Sequence, residues 1–387
     1  MTHQTGIDVA FDDELVELRD WLSVFARETI APLAVREEDH PDEAFASLRK
    51  ALGDAGVLAE MVASEFGGKR DALSLRAMCL VREKLSEVSG LADLIFVMQG
   101  LGSLPLQRGG SDTLRHEWLP RVVSGEAIAA IALTEEFAGS DVAALATTAR
   151  EDGDSFVLDG EKWFISNAGS ANFYSVFATV DKAAGRKGIT CFLVEADRPG
   201  CSVKRQMPTL AAHPLGVVAF DGCRVPSGNM LGERGRGFAL AMETLDTFRA
   251  TVGAAAVGMA GRALTESIAF AQERVQFGKP LAEFQLTQAA LAEMAVDYDA
   301  ARLLVYRAAT ARDAGSGRVT IEASMAKLFA TEAAQRIIDR AVQIHGGRGV
   351  LRGSVTERLY RDVRALRIYE GTSEIQKLVI ASQLLRD

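Results

Sequence analysis

Near the C-terminus, Tyr369-Glu370-Gly371-Thr372 sets a carboxylate between an aromatic residue and a glycine, just ahead of the apolar run Ile375, Leu378 and Val379. A carboxylate at such a loop-to-helix junction is placed for acid or base work, and the glycine lets the backbone turn and approach a ligand. Thr372, with Glu374 and Ile375 behind it, reads as a helix start whose free N–H groups favour an anion such as a phosphate. Upstream, Gln343-Ile344-His345-Gly346-Gly347-Arg348-Gly349 ends a helix in three glycines and leaves backbone amides open. Taken singly, each fragment has a plainer reading, a solvated loop carboxylate and a helix stop.

A third stretch, Leu133-Thr134-Glu135-Glu136-Phe137-Ala138-Gly139-Ser140-Asp141, combines hydroxyls, small residues and a glycine in an irregular turn. That suits a polar heterocycle needing backbone donors and close approach. In isolation it is also an ordinary Asx-type loop.

The elements that must position these residues fall into thirds. Leu15, Leu18, Leu22 and Phe25 recur at helical spacing behind Asp12 and Asp13, with Pro32 beyond the expected end. Ala44 to Ala55, Leu73 to Ser86 and Leu91 to Leu101 behave alike. Phe156 to Leu158, Phe173 to Val180, Ile189 to Val194 and Val217 to Phe220 are short β-branched and aromatic runs. Asp152-Gly153-Asp154 and Asp159-Gly160 are the expected hairpin turns between them. Helical period returns over Phe238 to Gln272, Glu283 to Ala314, Thr320 to Gln343 and Thr372 to Leu385. The expected fold is α+β and multi-domain: an N-terminal helical domain (1–124), a middle antiparallel β-domain (125–232) and a C-terminal four-helix bundle (233–387).

A formal net charge of -9 with mixed signs gives no nucleic-acid or anionic-membrane surface, so a small-molecule partner is expected. Cys79, Cys191, Cys201 and Cys223 lack Cys-x-x-Cys spacing, and His3, His40, His116, His213 and His345 form no ligand pair. These argue for reduced cysteines and against a metal site. Met1 to Asp13 is polar and acidic without a leader pattern, and no apolar run would span a bilayer, so a cytoplasmic protein is expected.

Together with Lys162-Trp163-Phe164-Ile165-Ser166-Asn167 and Arg274-Val275-Gln276-Phe277-Gly278, the three stretches above closely resemble the acyl-CoA dehydrogenase family, in order and over essentially the whole chain. The resemblance implies an FAD enzyme that converts an acyl-CoA thioester to a trans-2-enoyl-CoA. Glu370 matches the base that removes the α-proton. Thr134 and Ser140 match positions touching the flavin ring or the thioester, Phe164 the aromatic beside the flavin, and Ser166 the hydroxyl on flavin N5. Arg274, Phe277, Gln343, Gly347, Thr372 and Glu374 match the grip on the FAD pyrophosphate and adenosine, some supplied by a neighbouring subunit. Leu133, Gly139, Gln276 and Gly346 belong to the same cofactor-binding motifs. Asp246 and Arg249, in Leu245-Asp246-Thr247-Phe248-Arg249, match a pantetheine contact and an active-site arginine, and Tyr369 and Gly371 flank the substrate. A homotetramer and electron delivery to an electron-transfer flavoprotein are implied as well.

Two departures bear on the substrate. Ala211-Ala212-His213-Pro214-Leu215 stands where many relatives carry Arg-x-Ser-x-Thr, which puts the CoA contacts there in doubt and leaves a carrier-protein thioester open. Phe248 is bulkier than the Gly or Thr common at its position and is expected to shape or shorten the acyl pocket. A flavin oxidase or monooxygenase on the same fold is the other enzymatic reading. A purely structural protein should have lost the base or the flavin contacts, and this chain keeps both.

Overall fold

The computed structural model describes residues 11–385. His3 and most of the polar N-terminal stretch read for a leader lie outside the described residues. Helix α1 (Asp13–Phe25) starts where its cap predicts, the Asp12 carboxylate accepting from the Leu15 N–H at 3.0 Å, and it buries Leu15 and Leu22. The sequence places Pro32 beyond the end of this helix; the structure carries the chain straight through it. A π-turn, Ala26–Ile30, leads into α2 (Ala31–Ala34), with Pro32 in its first turn. A proline there removes no hydrogen bond that a new helical segment would make, and the π-turn resets the register just before it.

Four helices complete the first third: α3 (Pro41–Asp54), α4 (Leu75–Ser86), α5 (Gly90–Gly109) and α6 (Asp112–Val123). The strands are β1 (Ala129–Ala132), β2 (Thr148–Asp152), β3 (Ser155–Ser166), β4 (Phe173–Thr179), β5 (Ile189–Glu195), β6 (Cys201–Gln206), β7 (Leu215–Pro226) and β8 (Met230–Leu231). The last third holds α7 (Gly237–Glu273), a small hairpin β9 (Val275–Gln276) and β10 (Lys279–Pro280), then α8 (Gln285–Asp313), α9 (Thr320–His345), α10 (Val355–Val363) and α11 (Ser373–Leu384).

Contacts divide the chain into two compact units. One comprises the described residues up to Val35, Ser74–Asp93 and those from Arg249 onward; the other comprises Arg36–Leu73 and Leu94–Phe248. The second unit holds the sheet, ordered β6-β7-β3-β2-β4-β5-β8 with β1 on β4. Most pairings are antiparallel, but β1, a strand with no expected run of its own, pairs parallel to β4. Apart from Ile131 its residues are alanines, poor strand formers, and packing holds them instead. Gly102 of α5 lies so close to it that an added Cβ would stand 2.5 Å from the Ala130 nitrogen, and Ser175 Oγ of β4 donates to the Gly102 carbonyl at 2.7 Å.

Asp152-Gly153-Asp154 forms the expected turn, with Asp152 facing Ser155 and Gly153 at φ 67°. Asp159-Gly160 does not: it lies inside β3 as a bulge, where the register with β7 slips between Leu158 and Gly160. Gly160 takes φ 143°, and a Cβ there would meet Thr147 Oγ1 at 2.7 Å. Glycine permits both the conformation and the close approach, so the same Asp-Gly pair serves a bulge as well as a turn. Phe156, Leu158, Ile165, Val176, Phe192 and Val218 fill the sheet core.

In the first unit α8 and α9 pack along their lengths, with α10 and α11 against α9 and α4 against α8 and α1. The Arg249-to-Glu273 part of α7 is rich in small buried residues, Ala250, Ala254, Ala255 and Ala256 among them. They let it approach closely: a Cβ on Gly253 would meet Val305 of α8 at 2.8 Å. No helix among the described residues is long and apolar enough to cross a membrane.

Candidate active site

The segment 369–372 joins a short 3-10 turn, Arg364–Arg367, to α11. Thr372 caps α11, its Oγ1 accepting from the Ile375 N–H at 3.3 Å. The exposed Glu374 carboxylate accepts from its own backbone N–H, which holds it below the usual carboxylate range. The first turn therefore already has acceptors from its own chain, and less of it is open to the anion expected there.

Glu370 takes φ 53° and Gly371 φ 89°. The carbonyls of this left-handed turn are held from behind. Gln376 Nε2 donates to the Glu370 oxygen at 3.2 Å and to the Gly371 oxygen at 2.9 Å, and Lys327 Nζ donates to the Gly371 oxygen at 2.7 Å. Gln376 and Lys327 are fully buried. Glu370 is half-buried as a residue, but its Oε2 is shielded from solvent and has no hydrogen-bond partner among the described residues. Burial raises its proton affinity above that of an ordinary carboxylate, against the pull of Arg82, Lys327 and Arg249.

Arg82 and Asp93 form a buried fork, Nε to Oδ1 and Nη2 to Oδ2, both at 2.7 Å, with Arg82 Nη1 donating to Thr251 Oγ1 at 2.9 Å. Burial pushes the Tyr369 phenol far up, while the neighbouring Arg82 opposes the shift. Arg249, buried on α7, belongs to the same cluster through its charge on Glu370. Tyr369, Glu370, Gly371 and Arg249 are thus brought together, and Lys327, Arg82, Asp93 and Gln376 join them without having been singled out in the sequence. The available signal was a charge in an apolar stripe: Arg82 follows Leu75, Met78 and Cys79 at helical spacing, and Lys327 sits among Ala323, Ala326 and Ala330.

Elsewhere in the same unit, Arg274, Gln276 and Phe277 are exposed on the hairpin after α7, and Gln343, Gly346 and Gly347 are exposed where α9 ends. Phe270 and His345 stack with ring centroids 4.4 Å apart, which joins the C-terminal ends of α7 and α9. A Cβ on Gly346 or Gly347 would meet nothing within 4 Å, so the backbone there is open to a ligand.

In the second unit, the stretch 133–141 is tied to β3. Trp163 N donates to the Thr134 oxygen at 2.8 Å, and the buried Lys162 Nζ reaches the Leu133 oxygen at 3.2 Å and Glu135 Oε1 at 2.7 Å. Glu135 in turn accepts from the Ala146 and Thr147 amides. Leu133 and Thr134 therefore lie beside the strand of Phe164 and Ser166, while Gly139 and Ser140 are exposed farther along the loop, with nothing near a Cβ at Gly139. Phe164 is 52% exposed. Ser166 Oγ lies 2.8 Å from His213 Nε2, and burial alone pushes that imidazole down to about 4. Asp246 is half-buried on α7.

Among the described residues four non-glycines have positive φ: Phe164 (57°), Asn167 (63°), Phe277 (51°) and Glu370 (53°). All four lie in the motifs singled out above. Such conformations cost roughly 1–3 kcal/mol each and persist where the surroundings over-determine them, which is characteristic of ligand and catalytic sites. An open aromatic face, a nearby hydroxyl and uncluttered glycine backbone fit a flavin cofactor.

Family models match along the chain: acyl-CoA dehydrogenase N-terminal domain over residues 12–126, middle domain over 130–223 and C-terminal domain over 235–385. A 3-(aryl)acrylate reductase of Clostridium sporogenes is 40% identical over 365 residues, 94% of this chain and 96% of that protein. The mitochondrial short-chain specific acyl-CoA dehydrogenase of Homo sapiens is also 40% identical, over 94% of this chain and 88% of its own. The structure of an acyl-CoA dehydrogenase complexed with FAD from Bacillus anthracis superposes with a TM-score of 0.90 at 32% identity, covering 99% of this chain and 69% of that one. The chain belongs to the acyl-CoA dehydrogenase family and is an FAD-dependent oxidoreductase.

Proposed function

We propose that the chain dehydrogenates a saturated acyl-CoA thioester at its α and β carbons, with Glu370 as the base that takes the α-proton. The observation that carries this reading is the state of Glu370: a shielded Oε2 with no hydrogen-bond partner among the described residues, in a strained turn, with raised proton affinity. An α-C–H beside a thioester is a very weak acid, so its removal needs a carboxylate of unusually high basicity and a donor for the developing enolate oxygen. The Glu370 backbone N–H is the donor assigned to that oxygen, an interaction of a kind worth roughly 3–4 kcal/mol. Arg249 and Asp246 bind the thioester arm, and Tyr369 keeps water from the carboxylate.

The acceptor for the β-hydride is what bound FAD supplies. Phe164, Ser166, Thr134 and Ser140, with Leu133 and Gly139, hold its ring system. Arg274, Gln276, Phe277, Gln343, Gly346, Gly347 and Thr372 hold its diphosphate and adenosine, some from a neighbouring subunit. The negative charge of Glu374 suits a hydroxyl donor rather than a phosphate. Exposed apolar residues on the C-terminal helices, Leu286 of α8 and Leu378 and Leu384 of α11, favour a homotetramer. Electrons leave to an electron-transfer flavoprotein.

Anaerobic mixing of the FAD-loaded protein with short, branched and aryl-propanoyl CoA thioesters tests this reading. Loss of oxidised-flavin absorbance is expected with one class, and Glu370→Gln is expected to keep FAD and bind the thioester without bleaching. Normal bleaching in that variant would place the base elsewhere.

A further inference from the structure

We propose that Lys327 and Gln376 are positioning residues for Glu370: together they clamp the carbonyls of its left-handed turn, and the Lys327 ammonium is the counter-charge that keeps the carboxylate ionised between turnovers. This rests on the reading of Glu370 as the base. A glutamate at φ 53° reverts to a relaxed conformation unless its neighbours hold it. Two donors do so: Gln376 of α11 donates to the carbonyls of residues 370 and 371, and Lys327 of α9 donates to that of residue 371. The fit is tight. A Cβ on Gly371 would stand 2.5 Å from Gln376 Nε2, so the amide presses directly on the turn.

A clamp alone does not call for a lysine. No carboxylate lies within ion-pair distance of Lys327 among the described residues, so its charge is buried in an alanine-lined helix face against a neutral carbonyl. Burying a charge without a paired counter-ion is costly, and a methionine would fill the space at lower cost. The charge that acts most on Lys327 is that of Glu370, one residue before the carbonyl the lysine holds. The ionisable groups acting on Glu370 include Arg82 on α4, Asp93 on α5, Arg249 on α7 and Lys327 on α9, while Arg249 repels the Lys327 charge and Glu332 and Glu374 favour it. Arg82 pulls hardest, and the Asp93 charge in its fork opposes it only in part, so Lys327 favours the ionised carboxylate beside Arg82 and Arg249. Burial also brings the lysine itself down to about 8, so near neutrality it is cationic and loses that charge just above.

The test uses FAD-loaded Lys327→Met, Lys327→Gln, Lys327→Arg and Gln376→Met, with two readouts. One is infrared titration of the Glu370 carboxyl, identified by difference from Glu370→Gln. The other is the pH profile of anaerobic flavin reduction by an acyl-CoA. Lys327→Met is expected to move the carboxyl titration and the acid limb up by about one pH unit, the size typical of losing a nearby opposite charge. Lys327→Gln, which keeps a donor for the Gly371 carbonyl, is expected to move them too, and Lys327→Arg to leave them near the parent values. Gln376→Met is expected to slow reduction at least tenfold with the titration unmoved.

An unmoved titration in both neutral Lys327 variants overturns the counter-charge, and parental reduction rates in Gln376→Met overturn the clamp. Either failure is separate from that of the base itself, which is lost only if Glu370→Gln reduces flavin normally.

Discussion

Ser166 Oγ and His213 Nε2 lie 2.8 Å apart, an imidazole meeting the hydroxyl that follows Phe164 and Ile165 on β3. The contact joins two stretches far apart in sequence, and Asn167 N donating to the Pro214 oxygen at 2.8 Å secures it one residue on. His213 stays neutral because burial pushes it down from 6.5 to about 4. The unfolded chain therefore binds more protons than the folded one between these values. Stability associated with His213 is fully present above about pH 6.5 and is lost as pH falls toward 4, by up to about 3 kcal/mol. Chemical unfolding of parent and His213→Gln across pH 4 to 8 should show the variant losing less stability over the acid range. Parallel curves would mean that His213 titrates as it does in the unfolded chain.

Glu370 works in the opposite direction. Its folded proton affinity is raised by burial, so the folded state binds more protons above the ordinary carboxylate range and is penalised there as pH rises. Glu370→Gln keeps the shape and the φ of the turn but removes the charge. It is expected to unfold at higher denaturant than the parent at pH 8, with the gap closing toward pH 4. A variant less stable than the parent at pH 8 would mean that the carboxylate is stabilised where it sits. A gain in stability on losing a functional group is the usual sign of a site built for activity.

The thirds of the chain were legible in its periodicity, because long amphipathic helices and β-branched runs carry strong local signals. The departures come from positions where tertiary contact decides: Ala129 to Ala132 are a strand because α5 and β4 hold them, and Asp159-Gly160 is a bulge because Thr147 packs against it. The site was legible as separate motifs. Glu370 stood out beside its glycine, but the groups that tune it come from α4, α5, α7 and α9, and sequence distance hides that convergence. Lys327 and Arg82 could have been found only by asking why a cation interrupts an apolar stripe. The Ser166–His213 contact had no local signal at all.

Lys162 ties down the stretch 133–141. It is fully buried, and burial pushes it down to about 8 while Glu135 pulls the other way. Lys162→Met leaves Glu135 as a buried carboxylate with only backbone donors from Ala146 and Thr147. Breaking such a pair from one side costs roughly 3–5 kcal/mol. FAD retention on gel filtration is expected to fall with stability, since Thr134 and Ser140 lose their anchor, and adding Glu135→Gln is expected to recover part of both. A stable, fully yellow single variant would show that the loop is held by its backbone alone.

Gly100 of α5 faces a filled space: an added Cβ would lie 2.5 Å from both Met61 Sδ and Phe248 Cζ. Phe248 is fully buried, and its ring is the harder neighbour to displace. In a solvent-facing helix Gly→Ala would gain up to about 1 kcal/mol from propensity. Here overpacking costs about 1–3 kcal/mol, so Gly100→Ala is expected to be destabilising on balance. Phe248→Leu removes the obstructing ring tip. If the clash is the cause, the Gly100→Ala, Phe248→Leu double variant should be more stable than the sum of the single effects allows, with a coupling of roughly 0.5–3 kcal/mol. Simple additivity would mean that Met61 yields instead, and Met61→Leu is the variant that would then show the coupling.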